Sequence, residues 1–542
     1  MTNNRNIHGA SSDLIDAFTE TVRRYPERPA VVHHGDTLTY RQLGELVRTL
    51  AHRLGSGPGV VAVPATHTPD TVVALLGILA AGGAYCPVDP AFPPQRRQDM
   101  LAAVGCRTAV GAGIAQPGVR VVELPGTTTG TQDGTQAGTQ PGTQAAPERN
   151  GPEQPAYLLF TSGSTGQPKP VVTPRRAISA TVDSLRTLFG LTTEDRVLQF
   201  ASLNWDTCFE EILPTLTGGA ALVLDRDAHS GSFPRFLRMV ERERIGVLDL
   251  PTAFWHELVL HLAEEGLALP ECVRLLVIGG EAANPARLAD WAALDTGRVR
   301  LLNTYGSTET TLITHAVDLH GPLAAARDRP WAAGDRVPIG RALPHVYERI
   351  SEQGELLIGG PAVALGYLGL PEATADRFSE DAEGVHWYRT GDRVGRAPDG
   401  VLTHQGRLDG EFKVRGIRVD PAEVEAHLAG HPGVHAVAVT GTTLAGRSAL
   451  VAYVVPRAGA AAGGLGAELR TYLRDRVPGH LVPSRITVVP ELVLTASGKV
   501  DRAGSHRLHS ARGADAGHGA DAGRGAGEGA GAQLPEPEPA HH

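Results

Sequence analysis

Short apolar runs rich in β-branched residues recur along the chain, at 59–63, 220–224 and 275–278 among other places. Segments in which apolar residues have helical spacing, such as 232–243, lie between these runs. Strands that alternate with helices are typical of an α/β architecture. The pattern therefore predicts a mainly parallel sheet with helices covering it.

One apolar stretch, residues 71–88, is long enough to be considered as a membrane span. Gly82, Gly83 and Pro87 interrupt this stretch, and Asp70 and Asp89 flank it. These features favour a buried helix, a glycine break and then a strand. We expect no transmembrane segment.

Two segments are too poor in apolar residues to build a core. Residues 127–144 repeat a Thr-Gln-Gly unit and predict a disordered insertion at about 127–146, while 507–542 is predicted to be a disordered Gly/Ala/His-rich tail. The character of the sequence also changes around 406–410. We therefore predict a large N-terminal domain of layered sheets and helices over 1–408 and a small mobile α+β domain over 409–506.

Composition limits the class of protein. Hydrophobic residues make up 42% of the chain and charged residues 20%, as in ordinary soluble proteins. The formal net charge of −9 argues against nucleic-acid and membrane partners, which require a basic surface. The four cysteines form no CxxC pair, and the N-terminus lacks a basic start followed by an apolar segment, so a cytoplasmic location is expected.

The segment LFTSGSTGQPKP at 159–170 places hydroxyl and glycine residues directly after an apolar run and then adds Lys169. Such a loop can enclose a phosphate, because glycine lets backbone N–H groups converge and hydroxyls add further donors. A plain surface turn uses the same residue types. The Walker pattern is not met, since Lys169 lies between two prolines, and a P-loop NTPase is therefore disfavoured.

Further segments follow in a fixed order: NTYGSTETT at 303–311, YRTGD at 388–392, GRLDGEFKVRG at 406–416 and SGKVDR at 497–502. With LTYRQL at 38–43, AGGAYCPVDP at 81–90 and GELLIGGPAVALGYLG at 354–369, they cover the chain from about residue 13 to 502. In this order the segments resemble the adenylation domains of nonribosomal peptide synthetases, within the adenylate-forming enzyme superfamily. The specificity of the resemblance comes from the ordered set.

The resemblance implies that the chain binds ATP and Mg²⁺ and joins a carboxylate to the α-phosphate with loss of pyrophosphate. Glu309 would bind Mg²⁺, Thr308 the α-phosphate and Asp392 both ribose hydroxyls. Tyr305 would stack on adenine, and Arg407 would reach the ribose or phosphate region. The remaining nucleotide-binding residues implied are those of the phosphate loop, Thr161, Ser162, Gly163, Ser164, Thr165, Gly166 and Lys169, together with Asn303 and Gly306.

Lys499 matches the family's catalytic lysine, which bridges the substrate carboxylate and the ATP phosphate. Its compact ammonium suits the charge that develops as the acyl-adenylate forms. Asp409 matches the family's hinge, about which the small domain rotates so that a pantetheine thiol can reach the adenylate. The resemblance thus implies two reactions in one pocket.

The same alignment by motif names the residues of a substrate pocket. They are Asp206, Thr207, Glu210, Asp249, Val277, Gly279, Thr304, Leu312 and Ile313. Asp206 would pair with the α-amino group of the substrate. The other two acids need a partner, since an unpaired buried carboxylate is strongly destabilising. A second ammonium on the substrate would supply it, so we expect lysine or β-lysine, with ornithine as an alternative. A protein arginine paired with Glu210 or Asp249 would remove this reason.

No carrier domain follows the last motif, so we expect a stand-alone enzyme that loads a separate phosphopantetheinyl carrier protein in trans, with a small activating protein as an optional partner. Two alternatives stay open. The adenylate could pass to coenzyme A or to a soluble amine, or the chain could be a non-catalytic ATP-binding regulator or scaffold. The presence of Lys499, Glu309 and Asp392 argues against the second alternative.

Overall fold

A computed structural model describes residues 12–114, 117–126, 151–163, 167–327, 329–332, 334–408, 411–414, 417–444, 447–458, 463–494 and 500–515. The predicted insertion at 127–146 lies outside these residues. The helices within them are α1 (Leu14–Arg24), α2 (Tyr40–Leu54), α3 (Pro69–Ala80), α4 (Pro94–Ala103), α5 (Arg175–Phe189), α6 (Thr207–Gly218), α7 (Phe233–Arg242), α8 (Thr252–Glu265), α9 (Pro285–Ala293), α10 (Pro371–Arg377), α11 (Pro421–Ala429), α12 (Leu465–Arg474) and α13 (Arg502–Asp515).

The strands up to residue 408 are β1 (Pro29–His33), β2 (Asp36–Thr39), β3 (Val60–Pro64), β4 (Ala84–Val88), β5 (Thr108–Val110), β6 (Arg120–Val122), β7 (Pro155–Thr161), β8 (Lys169–Pro174), β9 (Arg196–Leu198), β10 (Ala221–Leu224), β11 (Val247–Pro251), β12 (Leu275–Gly279), β13 (Arg300–Gly306), β14 (Ile313–His320), β15 (Pro338–Ala342), β16 (Tyr347–Ile350), β17 (Glu355–Gly359), β18 (Gly366–Tyr367), β19 (Phe378–Glu380), β20 (His386–Arg396) and β21 (Leu402–Arg407). Beyond residue 408 they are β22 (Phe412–Val414), β23 (Ile417–Val419), β24 (Val434–Leu444), β25 (Arg447–Pro456) and β26 (Arg485–Val488).

The predicted fold class is confirmed. Residues 12–408, here called the large domain, contain two sheets with helices packed on them. The apolar stretch at 71–88 forms α3, a turn at Gly82 with a φ of 77°, and then the buried strand β4. No helix in the part of the chain that the structure describes is long and apolar enough to cross a membrane.

The larger sheet is mixed, whereas the sequence predicted a mainly parallel one. Strands β9 to β13 pair in parallel. The strands that follow β13 across the sheet, in the order β14, β15, β21, β20, β17 and β16, pair antiparallel. The physical reason is the connection, because only a short turn joins β13 to β14 and a parallel pair needs a crossover of a dozen or more residues. The change of direction falls beside the candidate site.

Residues from 411 onward, here called the small domain, build a separate core. Strands β24, β25 and β26 form its sheet, and α11 and α12 bury Val424 and Leu469 against it. The predicted start of the tail at 507 is too early, because α13 continues to Asp515. His509 in this helix is buried, and its Nε2 lies 2.8 Å from the Glu491 carbonyl oxygen. A helix with one buried face explains the difference.

Candidate active site

A cavity of about 290 Å³ lies where the carboxyl ends of three parallel strands meet the start of α6. Strands β11, β12 and β13 are neighbours in register, which brings their carboxyl ends to one edge of the sheet. Gly279 ends β12, and Asp249 and Thr304 lie two residues before the ends of β11 and β13. Ligand sites in α/β sheets form at this edge. Every residue predicted for the substrate pocket lines the cavity except Val277.

Helix α6 supplies two of the acids. Asp206 precedes the first residue of the helix, and its side chain forms no capping bond, which leaves it directed toward the cavity. Glu210 follows one turn later on the same face. Burial raises the pKa of Asp206 to about 6, although the Thr308 hydroxyl bonds to it and the Lys413 ammonium is near.

Asp249 on β11 completes a group of three carboxylates. Burial raises its pKa to about 7, and burial together with the negative charge of Asp249 raises the pKa of Glu210 well above its ordinary value. Among the described residues, no ion pair includes Glu210 or Asp249, and Asp249 Oδ2 is buried without a hydrogen-bond partner. The two acids therefore lack a protein counterion in this part of the chain.

Glu211 shows what a satisfied buried carboxylate looks like at the next position. Its two oxygens accept hydrogen bonds from the backbone N–H groups of Phe200 and Ala201, each at 2.9 Å, and from the Gln199 amide at 3.0 Å. The side chain is fully buried and faces away from the cavity lining. Glu211 is structural, and Glu210 is the acid left for a ligand.

Small and strained residues shape the rest of the pocket. A Cβ at Gly279 would lie 2.5 Å from Thr304 Oγ1, so only glycine leaves this space open. Thr311 and Leu312 have φ angles of 55° and 68°, a backbone region that is costly for residues with side chains. This turn directs Leu312 to the cavity. Val277 is fully buried behind the wall, in register with Asp249.

The predicted phosphate loop follows β7, and the structure describes it at Thr161, Ser162 and Gly163 and again from Gln167. Ser164, Thr165 and Gly166 lie outside the described residues. Thr161 Oγ1 is buried with no partner, a donor that a phosphate oxygen could use. A Cβ at Gly163 would lie 2.1 Å from the Gln167 carbonyl oxygen, so the tight turn requires glycine.

Asp392 forms the centre of the predicted ribose site. The Tyr305 hydroxyl donates to Asp392 Oδ2 at 2.6 Å, while His404 Nε2 and the Arg407 guanidinium each lie 3.0 Å from Oδ1. Burial opposes ionisation, but the His404 hydrogen bond and the Arg407 charge hold the pKa of Asp392 below its usual range. Asn303 donates to the Pro338 carbonyl at 2.7 Å and keeps a buried oxygen without a partner.

Glu309, the predicted magnesium ligand, is fully buried beside the phosphate loop. The Tyr367 hydroxyl donates to its Oε1 at 2.9 Å, and Arg418 Nη1 lies 3.1 and 3.2 Å from its two oxygens. Burial opposes ionisation, but the Arg418 charge holds the pKa of Glu309 below its ordinary value. Lys169 Nζ lies 5.1 Å from the centre of the ring of Tyr367, the same tyrosine that donates to Glu309. The ionised carboxylate offers the hard oxygen ligands that Mg²⁺ prefers, although Arg418 holds both oxygens in this arrangement.

Several residues of the small domain reach the site, and the motifs did not single them out. Lys413, Ile417 and Arg418 line the cavity. Glu411 joins Arg418 to Arg407 of the ribose site, with Arg407 Nη2 2.7 Å from Glu411 Oε2. The signal was present in the segment at 406–418, which carries five charged residues after Arg407, but a motif does not show which of them a rotating domain turns toward the site.

Two further predicted residues, besides the three of the phosphate loop, cannot be placed. Asp409, the expected hinge, and Lys499, the expected catalytic lysine, lie outside the described residues. Leu494 and Val500 flank the undescribed residues 495–499, form an isolated β-bridge and are partly exposed. Leu494 and Val500 do not line the cavity. The roles of Asp409 and Lys499 therefore stay predictions.

The comparisons with known proteins agree with this fold. The family profile described as AMP-binding enzyme matches residues 18–368, and the profile of the AMP-binding enzyme C-terminal domain matches 423–499. The chain therefore belongs to the AMP-binding enzyme family, and it is an adenylate-forming ligase.

One relative is an isonitrile lipopeptide synthase from Streptomyces coeruleorubidus, to which this chain is 42% identical over 486 residues. The aligned region covers 87% of this chain but only 32% of the synthase. The structure of NpsA-ThdA, an artificially fused adenylation-PCP di-domain from Klebsiella oxytoca, has a TM-score of 0.74 and 25% identity, covering 89% of this chain and 94% of that one. Amide bond synthetase McbA from Marinactinospora thermotolerans gives a TM-score of 0.76 and 27% identity, covering 92% and 100%.

Proposed function

We propose that the chain activates a basic diamino acid, lysine or β-lysine in preference to ornithine, as the aminoacyl-adenylate and then transfers it to the phosphopantetheine thiol of a separate carrier protein. The observation that supports the substrate class is the pair Glu210 and Asp249, which lines the cavity without a counterion among the described residues. A distal ammonium would supply the missing charge and hydrogen bonds. The α-amino group would pair with Asp206.

The chain's own groups divide the work of the first reaction. Thr161, Ser162 and Gly163 would hold the phosphates, and Asp392 with Tyr305 would hold the nucleoside. Glu309 would hold Mg²⁺, which supplies positive charge to the phosphates when it is bound. The Thr308 hydroxyl bonds to Asp206, the acid that would pair with the α-amino group. Thr308 would also bind the α-phosphate and would thus connect the two substrates. Lys499 would balance the charge that develops at the reacting carboxylate.

ATP–pyrophosphate exchange with lysine, β-lysine, ornithine, arginine and leucine tests the substrate class. We expect exchange with the diamino acids and little with leucine. Glu210→Gln removes one counterion, and kcat/KM for lysine should fall by about 100-fold or more, since breaking a buried ion pair is costly. The KM for ATP should change little. Glu265→Gln, on the exposed end of α8, is the matched control.

Two outcomes would contradict the proposal. Equal exchange with leucine and lysine would contradict the diamino substrate, and full exchange by Lys499→Ala would contradict the catalytic role of Lys499.

The transfer to a thiol has its own measurement, which uses pantetheine as the thiol and detects the aminoacyl thioester by mass spectrometry. McbA, an amide bond synthetase of similar fold, favours a soluble amine as the second candidate acceptor. An amide product in place of a thioester would identify it. The cytoplasmic location stays a prediction of the sequence.

A further inference from the structure

Charged groups of the small domain lie on the residues that we assign to Mg²⁺ and pyrophosphate. The Arg418 guanidinium contacts both oxygens of Glu309, at 3.1 and 3.2 Å. Glu423, at the start of α11, accepts the Gly163 N–H at 3.2 Å through Oε2. A cation therefore lies on the magnesium ligand, and an anion lies on the phosphate loop.

Further contacts hold this arrangement. The Ser162 hydroxyl donates to the Arg418 carbonyl oxygen at 3.0 Å and accepts the Asp420 N–H at 3.0 Å. Arg96 of α4, in the large domain, lies 2.9 Å from Glu423 Oε1. The Arg96 and Glu423 side chains are 10% and 0% exposed. The described start of the phosphate loop, at Ser162 and Gly163, is thus occupied by the small domain.

We infer that Arg418 and Glu423 are ionic replacements for Mg²⁺ and pyrophosphate, which close the small domain onto the site only after both have left. The inference rests on the proposed function. Departure of Mg²⁺ and pyrophosphate would leave Glu309 as an unpaired buried charge and the phosphate-loop N–H groups without acceptors, and both states are costly. Arg418 neutralises Glu309, and Glu423 accepts the Gly163 N–H. Closure of the small domain thereby replaces Mg²⁺ by Arg418 and pyrophosphate by Glu423.

The exchange predicts a competition, since Mg²⁺ and Arg418 cannot both occupy Glu309. A ligand that binds only the open arrangement has its affinity reduced by the fraction of molecules that are closed. Arg418→Gln weakens closure, so it should tighten the binding of magnesium pyrophosphate by about tenfold. A direct contact between Arg418 and pyrophosphate predicts the opposite sign, because removal of a cation would weaken binding. The sign therefore separates the two roles.

Two measurements on the full chain test the inference. Calorimetric titration of magnesium pyrophosphate gives the affinity, and fluorescence energy transfer between dyes at Glu45→Cys and Asp475→Cys, both exposed, reports the domain arrangement. Cys106 and Cys272, which are partly exposed, are first replaced by serine. We expect magnesium pyrophosphate to change the transfer efficiency of the wild type. Arg418→Gln should start closer to the ligand-bound value and bind the ligand more tightly.

Arg507→Gln, whose side chain is 73% exposed in the small domain, is the control and should behave as the wild type. If Arg418→Gln fails to fold, Glu423→Gln serves instead and should shift the ligand-free efficiency in the same direction. Unchanged or weaker binding by Arg418→Gln, or an efficiency insensitive to magnesium pyrophosphate, would overturn the inference. Exchange activity on lysine is measured separately, so that failure of the proposed function is distinguished from failure of the ionic replacement.

Discussion

At the scale of single residues, neighbouring acids in one helix have different fates. Glu211 receives hydrogen bonds from two backbone N–H groups and the Gln199 amide, whereas Glu210 faces other acids, Asp249 first and Asp206 next. Two carboxyl groups that face each other out of water cannot both ionise cheaply. The free enzyme therefore keeps a proton on this pair, and binding of an ammonium would favour its release.

The raised pKa of Asp249 predicts how stability depends on pH. Its pKa is about 7 in the folded chain against an ordinary value of 3.8, so the folded state binds more protons between these values. The free energy of unfolding then falls as pH rises through this window. We expect Asp249→Asn to gain about 4 kcal/mol relative to the wild type between pH 4 and pH 8, since the two pKa values differ by about three units and each unit corresponds to about 1.4 kcal/mol.

Urea unfolding of both proteins at several pH values, without ligand, measures this difference. Asp36→Asn changes an exposed acid on β2 and provides the control, with a stability curve parallel to that of the wild type. If the curves of Asp249→Asn and wild type also stay parallel, the buried pair does not hold a proton. Added lysine should raise the stability of the wild type most at the upper end of the range.

At the scale of elements, the pocket depends on how closely β12 and β13 approach at their carboxyl ends. Thr304 on β13 donates to the Ile278 carbonyl at 2.9 Å and lies over Gly279 of β12. The cross-strand bond fixes the hydroxyl in the space that a side chain at position 279 would need. A glycine here is therefore part of the shape of the pocket.

Gly279→Ala should lower kcat/KM for lysine by about tenfold or more, because the new methyl group would displace Thr304 and overpacking of this kind costs roughly 1–3 kcal/mol. Thr304→Ala removes the hydroxyl that the methyl group meets. The double variant Gly279→Ala/Thr304→Ala should therefore regain activity relative to Gly279→Ala. Initial rates of exchange for the four proteins form a double-mutant cycle. A double variant as poor as the sum of the two changes would contradict this explanation.

Local patterns predict elements well where the signal lies within a few residues. The glycine break between α3 and β4 and the amphipathic spacing of α7 are examples, and both appear as predicted. The antiparallel half of the large sheet was not predicted, because strand direction depends on the connections rather than on apolar runs. Helix α13 was missed because the buried side chains described in it, Ser505 and His509, are polar and leave no apolar pattern in the sequence.

At the scale of the whole molecule, the residues that line the cavity could be predicted and the contacts of the small domain could not. Asp206 and Asp249 are held by contiguous motifs inside one domain. Arg418 and Glu423 reach Glu309 and Gly163 only because two bodies dock, and their partners are more than a hundred residues away in sequence. No local pattern encodes such a pairing. The docked state is therefore information that only the structure supplies.

The two domains have separate cores, and each should unfold with its own transition. Leu469 is fully buried among small-domain residues, and Leu258 among large-domain residues. Leu469→Ala should cost about 2–5 kcal/mol and lower the small-domain transition by roughly 10 °C or more. Leu258→Ala should move only the other transition. Scanning calorimetry of both variants compares these shifts. If each variant lowers all transitions equally, the chain unfolds as one cooperative unit, and the contacts of Arg418 and Glu423 are as strong as a core.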